Sequence, residues 1–298
     1  MTEHPHVVTP LVQMQPEHAF FVGIDSDGCV FDTMEIKHKE CFTPNIIKHW
    51  GLQSVSKYAR EASEFVNLYS KWRGVNRWPA LVMVLDLLRE RPEVRARGAA
   101  IPEVPKVREF IASGLPLSNG SLAKLVATTG DPELKRALDW SEAVNATIAD
   151  MVYGVAPFSY VRESLELITH HADAIVVSQT PVEALVREWQ EHDIDRYVKV
   201  IAGQELGTKS EHLHYASQGK YADSRKLMIG DAPGDYEAAR DNNAAFFPVN
   251  PGHEDESWER FYKEAFMRFV EGSYAGEYEA GLIADFEKAL PAVPPWKH

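Results

Sequence analysis

The sequence predicts an α/β protein in which a doubly wound parallel sheet carries an α-helical domain inserted after its first strand. Three patterns support this: an apolar strand-like run at 19–24, helical periodicity from 33 to about 153, and alternating strands and helices from 160 to 249. Strands that alternate with helices form parallel βαβ units with right-handed crossovers. The long helical stretch therefore interrupts a single α/β domain.

The first strand and the insert can be followed element by element. AFFVGI at 19–24 is a short apolar run of the kind found in buried parallel strands. Within the insert, Asn76 can cap a helix that starts near Pro79, and Asp131 followed by Pro132 begins a long helix to about 152. The other predicted elements of the insert are helices at 36–50 and 58–72 and loops at 98–105 and 114–120.

After the insert, short apolar runs alternate with helical patterns. The predicted strands are 174–177, 197–201, 227–229 and 244–249. The predicted helices are 160–171, 180–192, 210–217 and 236–242, followed by a helical segment rich in aromatic residues at 254–290. These assignments predict an α/β core at 18–33 and 156–250, a helical domain at 34–155, and a C-terminal extension at 251–298 that packs on the core.

The composition is that of a globular chain, with 45% hydrophobic and 25% charged residues among 298. No apolar run is long enough to span a membrane, and residues 1–17 lack the pattern of a secretory signal, so we interpret them as a loose arm. Two cysteines, Cys29 and Cys41, do not make a disulfide framework, which favours the cytoplasm. A net charge of −13 disfavours nucleic acid as a partner but not a small anionic substrate in a cleft.

Polar residues follow the predicted strands at their carboxyl ends, where ligands bind in open α/β sheets. Two carboxylates about 4 Å apart repel by about 4 kcal/mol at an effective dielectric constant of about 20, so a cluster of acids needs a cation. Carboxylate oxygens around an open site suit Mg²⁺. The residues are Asp25 and Asp27 after the first strand, Ser178 after the second, Lys209 at the start of the helix after the third, and Asp231 and Asp235 after the fourth.

The same residues provide the groups that phosphoryl transfer needs. A carboxylate such as that of Asp25 can attack phosphorus and form an aspartyl-phosphate. Lys209 can neutralise both the nucleophile and the phosphoryl oxygens. Ser178 and the main-chain N–H groups at the helix start that follows it can donate hydrogen bonds to phosphate. The pattern therefore predicts a phosphohydrolase.

Four segments resemble the motifs of the haloacid dehalogenase (HAD) superfamily, in the same order and in matching strand–loop contexts. DxDG alone also occurs in calcium-binding loops, but its combination with a Ser, a Lys and GDxxxD after separate strands is specific. The resemblance covers the core and implies a HAD-like Rossmannoid sheet. The segments are IDSDGCVFDT (24–33), IVVSQT (175–180), GTKSEHL (207–213) and LMIGDAPGDYEAAR (227–240).

The resemblance implies a role for each motif residue. Asp25 would be the nucleophile, and Asp27 would be the general acid/base that protonates the leaving alcohol and then activates water. An Asp at this second position is typical of phosphatases and phosphomutases, which argues against carbon–halogen cleavage. The implied Mg²⁺ ligands are Asp25, Asp27 through its main-chain carbonyl, Asp231 and, directly or indirectly, Asp235; the implied phosphate-binding residues are Ser178, Gln179 and Lys209.

The helical insert is similar to the mobile α-helical cap of this superfamily, which closes over the site and selects the substrate. It is larger than the usual small cap. WRGVNRW at 72–78 resembles the Gly-x-x-Arg specificity segment of the β-phosphoglucomutase-like branch, which implies that Arg77 contacts a distal anion of the substrate. Mutases of that branch often have a His where this chain has Lys37, followed by His38.

These observations predict a Mg²⁺-dependent phosphatase that hydrolyses a phosphate monoester of a small cytosolic metabolite, with neither nucleic acid nor membrane as partner. One alternative is a phosphomutase. A second is a phosphonate hydrolase, for which Lys37 is the nearest candidate for a cap lysine, although Asp27 argues against it. A third is a HAD-like domain that binds ligands without catalysis, against which the presence of every motif residue argues.

Overall fold

The computed structural model describes residues 8–297, which form two compact units. The first unit comprises 8–33 and 153–290 and contains the β-sheet, and the second comprises 34–152 and 291–297 and is helical. The chain therefore returns to the helical unit after the C-terminal helices of the first unit. The expectation that the whole of 251–298 packs on the core is wrong for 291–297.

The first unit contains the strands β1 Phe20–Ile24, β2 Ala172–Val177, β3 Val200–Ala202, β4 Lys226–Gly230 and β5 Ala245–Pro248. The α-helices, in chain order, are α1 Thr9–Gln13, α2 Thr33–Ile36, α3 Thr43–His49, α4 Ser56–Asn67, α5 Arg77–Glu90, α6 Pro92–Ala96, α7 Pro105–Ala112, α8 Asn119–Thr129, α9 Pro132–Met151, α10 Val161–Thr169, α11 Val182–Glu191, α12 Lys209–Ser217, α13 Pro233–Asp241, α14 Glu254–Arg260, α15 Phe266–Glu271 and α16 Glu277–Ala289. Short π-helical segments are Lys37–Phe42 and Phe261–Ala265, and 3₁₀ turns are Gln53–Val55, Asp195–Tyr197, Gln204–Leu206, Asp223–Arg225 and Pro295–Lys297.

The sheet has five strands in the order β3-β2-β1-β4-β5, and every neighbouring pair is parallel. β1 lies at the centre and pairs with both β2 and β4. The chain moves outward from β1 in one direction and then in the other, so the order reverses there. This is the doubly wound parallel sheet that the sequence predicts, and it brings the carboxyl ends of β1, β2 and β4 side by side.

Helices cover the sheet on both faces. On one face, Val22 and Ile24 of β1 pack in a core with residues of α10, α11, α14 and α15. On the other face, Phe21 packs with residues of α1, α12 and α13. Successive side chains of a strand point to opposite faces, so β1 contributes to both cores and is buried on both sides.

The third strand differs from its prediction. The apolar and aromatic residues at 197–201 predict a strand, but Asp195–Tyr197 forms a 3₁₀ turn and the strand is Val200–Ala202. A short edge strand pairs with one neighbour only, so local propensity has little influence on where it starts. None of the helices within 8–297 is long and apolar enough to cross a membrane.

The helical unit has a core of its own. Trp78 lies between two other aromatic rings, with centroid distances of 5.6 Å to Trp140 and 5.9 Å to Phe110. The predicted caps are confirmed: the Asn76 side chain accepts from the Trp78 N–H, and the Asp131 side chain accepts from the first-turn N–H groups of α9. Helix α7 lies between the two predicted loops, and α8 begins at the end of the second one.

Residues 8–17 are not a loose arm. Leu11 of α1 is fully buried in the core beside α12, and the Lys220 Nζ donates to its carbonyl at 2.8 Å. Farther along, the main-chain N–H groups of Glu17 and His18 donate to the buried Asp173 carboxylate at 2.9 and 3.0 Å. The residues around Leu11 are a mixture of polar residues and proline, so the sequence pattern does not predict that Leu11 is buried. The predicted arm at 1–7 lies outside the described residues.

Replacing Asp173 with Asn is expected to lower the free energy of unfolding by about 2 kcal/mol at neutral pH, because charged hydrogen bonds are lost. Burial alone would raise the pKa of Asp173, but hydrogen bonds from His18, Lys199 and Tyr221 lower it to about 2. A carboxylate whose pKa is lowered in the folded state stabilises the fold above about pH 4 and loses this effect as the pH falls toward 2. Urea unfolding from neutral pH to about pH 3 measures this dependence.

The control is Asp285→Asn, since the Asp285 side chain is 58% exposed and pairs with Lys288 at the surface. We expect this variant to change the free energy of unfolding by less than about 1 kcal/mol. A difference between wild type and Asp173→Asn that stays constant as the pH falls below about 4 would contradict the role assigned to Asp173.

Candidate active site

Asp25 lies at the carboxyl end of the central strand. Its main-chain N–H donates to the Ile229 carbonyl at 2.9 Å, which continues the pairing of β1 with β4, and the residue is 3% exposed. The chain then turns sharply at Gly28, whose φ of 76° suits a residue without a side chain. The Val30 N–H closes the turn by donating to the Ser26 carbonyl at 2.8 Å. The short turn thus places Asp25 and Asp27 at one edge of the sheet.

Three carboxylates and one lysine meet at this edge. One carboxylate oxygen from each of Asp25, Asp231 and Asp235 lies within 4.8 Å of the others. The Lys209 Nζ lies between two of them, 2.8 Å from the Asp25 Oδ2 and 2.6 Å from the Asp235 Oδ1. The structure therefore brings together four residues that follow three different strands in the sequence.

Burial and charge shift the pKa values of these groups. Burial raises the pKa of Asp25 well above its usual range; Lys209 opposes this shift, and the neighbouring carboxylates add to it. Burial likewise raises the pKa of Asp235 against the effect of Lys209. Burial alone would lower the pKa of Lys209, but the three carboxylates raise it above its ordinary value, so the side chain is an ammonium.

Asp235 also organises the turn that carries Asp231. Its Oδ2 accepts from the main-chain N–H groups of Asp231 and Ala232 at 3.2 and 3.0 Å, while its Oδ1 faces Lys209. Gly230 makes this arrangement possible, since a Cβ there would lie 2.3 Å from the Asp235 Cβ. The turn therefore requires glycine at 230 because the Asp235 side chain fills the space.

The cluster has the donor chemistry of a divalent metal site. If all are ionised, three carboxylates and one ammonium leave two excess negative charges in a buried setting. A dication would neutralise that excess, and carboxylate oxygens are ligands that Mg²⁺ prefers. The residues thus fit the predicted metal. The group of carboxylates does not include that of Asp27, whose main-chain carbonyl is the predicted ligand.

The Asp27 carboxylate is instead held by two hydroxyl groups. The Thr33 Oγ1 donates to its Oδ1 at 2.5 Å, and the Thr180 Oγ1 donates to its Oδ2 at 2.6 Å. Neither threonine is among the predicted site residues. Both occur within the segments that resemble the HAD motifs, and this position is the one sequence signal that could have identified them.

Ser178 and Gln179 follow β2, beside the end of β1. Ser178 is 2% exposed, and its Oγ accepts from the Thr180 N–H at 3.2 Å. The Gln179 side-chain amide donates to the Gly207 carbonyl at 3.0 Å and to the Ser178 carbonyl at 3.3 Å. Gln179 thereby ties the segment after β2 to the loop before Lys209, and its side chain is engaged with protein carbonyls.

Arg77 lies in the helical unit, at the start of α5. Its Nη1 donates to the Ser141 Oγ at 2.7 Å and to the Asn145 Oδ1 at 2.8 Å, and its guanidinium lies over the Phe42 ring at 5.2 Å. Burial lowers the pKa of Arg77. Within 8–297, no carboxylate lies at ion-pair distance from this cation. Lys37 and His38 belong to the π-helical segment Lys37–Phe42, where the His38 ring stacks on Phe42.

Solved structures with a similar fold cover most of this chain. No protein-family model matches the sequence, and no match was found among curated proteins. A haloacid dehalogenase-like family hydrolase from Streptococcus pneumoniae is 13% identical with a TM-score of 0.50, over 82% of this chain and 91% of that one. A protein assigned as a phosphoglycolate phosphatase from Lactobacillus delbrueckii subsp. bulgaricus is 14% identical with a TM-score of 0.50, over 87% and 100%. The chain therefore has the haloacid dehalogenase-like fold that its four motifs imply.

Proposed function

We propose that this protein is a Mg²⁺-dependent phosphohydrolase that cleaves a phosphate monoester of a small metabolite through an aspartyl-phosphate on Asp25. The observation that carries the proposal is the position of Lys209 between the buried carboxylates of Asp25 and Asp235, with Asp231 beside them. A carboxylate is a usable nucleophile toward phosphorus when neighbouring cations reduce its repulsion of the phosphate. The haloacid dehalogenase-like fold supports the same reaction class.

In the first step, an Asp25 oxygen attacks phosphorus, and the new bond forms as the ester P–O bond breaks. Asp27 gives its proton to the leaving oxygen, so that the product is a neutral alcohol. In the second step, water attacks the same phosphorus, Asp27 accepts the proton of that water, and the bond between phosphorus and Asp25 breaks. The products are an alcohol and inorganic phosphate, and Asp27 returns to its starting protonation state.

The threonine hydroxyls suit both protonation states of Asp27. Thr33 and Thr180 donate to the carboxylate, and a hydroxyl can rotate to accept a hydrogen bond when Asp27 carries a proton. They would hold the carboxyl group in one orientation through both steps. Thr33 and Thr180 are therefore proposed as positioning residues for the acid/base.

Lys209 would stabilise the charge on the transferring phosphoryl group, because its pKa is raised and it lies 2.8 Å from the nucleophile. Ser178 and the main-chain N–H of Gln179 would bind the phosphoryl oxygens. Asp25, Asp231 and the Asp27 main-chain carbonyl would hold Mg²⁺, with Asp235 orienting the turn. When bound, Mg²⁺ neutralises the negative charges that carboxylates and phosphate bring together.

Arg77 remains the proposed contact for a second anionic group on the substrate. Its described partners are neutral, so an anion would compensate a half-buried cation. The substrate class is therefore a small phosphorylated metabolite with a second acidic group, such as a carboxylate or another phosphate.

Phosphate release from a panel of phosphorylated metabolites, with and without Mg²⁺, tests the proposed function. We expect release that requires Mg²⁺ and that is fastest for compounds with a second anion. The panel should include sugar phosphates with and without a sugar bisphosphate activator. Interconversion of sugar phosphates that requires the activator, with no net release of phosphate, would identify a mutase and overturn the proposal.

A further inference from the structure

Two indole N–H groups reach the turn that carries Asp27. The Trp189 Nε1 donates to the Ser26 Oγ at 3.0 Å, and the Trp258 Nε1 donates to the Cys29 carbonyl at 2.7 Å. Both tryptophans are 0% exposed, as are Ser26 and Cys29. The two indoles therefore hold the residues on either side of the Asp27–Gly28 step.

Trp258 comes from outside the segments that resemble the HAD motifs. It lies in α14, and its centroid is 5.5 Å from that of Phe261, which in turn lies 5.0 Å from Phe247 of β5. Phe266 extends the same aromatic cluster from α15, with its centroid 5.5 Å from that of Phe261. The Trp258 indole is closely packed and cannot change rotamer freely. Its N–H therefore holds the Cys29 carbonyl in one position.

The Cys29 carbonyl needs this partner. Inside the turn, the main-chain acceptors are the carbonyls of Ser26 and Phe31, to which the N–H groups of Gly28, Cys29, Val30 and Phe31 donate. The Cys29 carbonyl accepts instead from the Trp258 Nε1. A buried carbonyl that loses its hydrogen bond raises the free energy of the folded state. The backbone of the turn can lower that free energy by moving until the carbonyl finds another donor.

We propose that Trp258 is a positioning residue for Asp27, so that the C-terminal segment beyond β5 sets the geometry of proton transfer at the active site. This inference rests on the proposed function. Asp27 must keep its carboxylate within 2.5 Å of the Thr33 Oγ1 and 2.6 Å of the Thr180 Oγ1, which a turn with a loose backbone cannot do. Misplacement of a catalytic group by about 1 Å can cost about a hundredfold in rate.

The test compares Trp258→Phe, which keeps an aromatic ring and removes the N–H, with Phe266→Leu, which perturbs the same aromatic cluster and removes no hydrogen bond to the turn. We expect Trp258→Phe to lower kcat/KM about tenfold for an alkyl phosphate, whose leaving group needs a proton, with KM nearly unchanged. The effect on p-nitrophenyl phosphate should be much smaller, because nitrophenolate departs without a proton. Phe266→Leu should leave the ratio of the two rates as in wild type.

Hydrogen–deuterium exchange of the main-chain amides at 28–31 gives a second readout that does not depend on activity. We expect faster exchange there in Trp258→Phe and the wild-type rate in Phe266→Leu. If the wild type releases no phosphate, the proposed function fails, while the exchange still reports on the turn. An active Trp258→Phe with wild-type rates on both substrates and wild-type exchange overturns the inference, as does an equal loss on both substrates in both variants.

Discussion

Replacing Asp25 with Asn is expected to lower the rate of Mg²⁺-dependent phosphate release by about 10⁴-fold or more, because an amide cannot attack phosphorus. The fold should survive the change. Asn has the same shape as Asp, and its amide oxygen can still accept the hydrogen bond that the Asp25 Oδ1 takes from the Ser26 N–H at 2.8 Å. Lys209 keeps a partner, since the Asp235 Oδ1 lies 2.6 Å from its Nζ.

Steady-state phosphate release, circular dichroism and thermal unfolding of the variant separate the loss of a nucleophile from the loss of structure. Acid quench and mass spectrometry of the wild type should find one phosphoryl group on the peptide that contains Asp25, and none in the variant. Asp231→Asn is the matched comparison: it removes a carboxylate from the same cluster and should weaken Mg²⁺ binding without removing the nucleophile. A variant Asp25→Asn that is folded and retains wild-type release would show that another group attacks phosphorus.

The sequence predicts the acidic edge because strand topology determines it. Asp25 and Asp231 each follow a short apolar run, and the carboxyl ends of neighbouring parallel strands meet whatever the details of the loops. Lys209 is predictable for the same reason, since it begins the helix after the third strand, whose carboxyl end lies at the same edge of the parallel sheet.

The partners of Asp27 and of its turn are not predictable in this way. Thr180 by itself is typical of a helix start, and only the path of the chain after β2 brings its hydroxyl to Asp27. Trp258 lies 229 residues from Cys29, and nothing in the local pattern of α14 distinguishes its N–H from that of any buried tryptophan. Such contacts depend on tertiary packing, which local periodicity does not encode.

Two segments near the ends of the described chain also make packing contacts that local periodicity does not predict. Residues 291–297 are rich in proline and have no periodicity, yet Trp296 packs on Phe65 and beneath Arg91 in the helical unit. At the other end, one apolar side chain, Leu11, anchors a segment that is polar overall. In both places a single large side chain decides the contact, and one residue is too weak a pattern to predict it.

Replacing Asp27 with Asn is expected to lower kcat/KM for an alkyl phosphate by about 10²- to 10⁴-fold, the usual contribution of general acid/base catalysis. The loss should be far smaller for p-nitrophenyl phosphate, because kcat/KM reports on the first irreversible step and nitrophenolate leaves without a proton. An Asn can still accept from Thr33 through its amide oxygen, so the side chain keeps part of its support. The change thus removes proton transfer while it leaves the nucleophile and Lys209 in place.

The second step should slow as well, since no group is left to take the proton from water. The variant should then accumulate the aspartyl-phosphate on Asp25 when p-nitrophenyl phosphate is the substrate, with a burst of nitrophenolate followed by slow turnover. Thr180→Val is the companion variant, because it removes one hydroxyl from Asp27 at nearly constant volume and should give the same leaving-group dependence in weaker form. Equal losses on both substrates in Asp27→Asn would mean that Asp27 acts through the structure of the turn, and the acid/base role would then fall to another group.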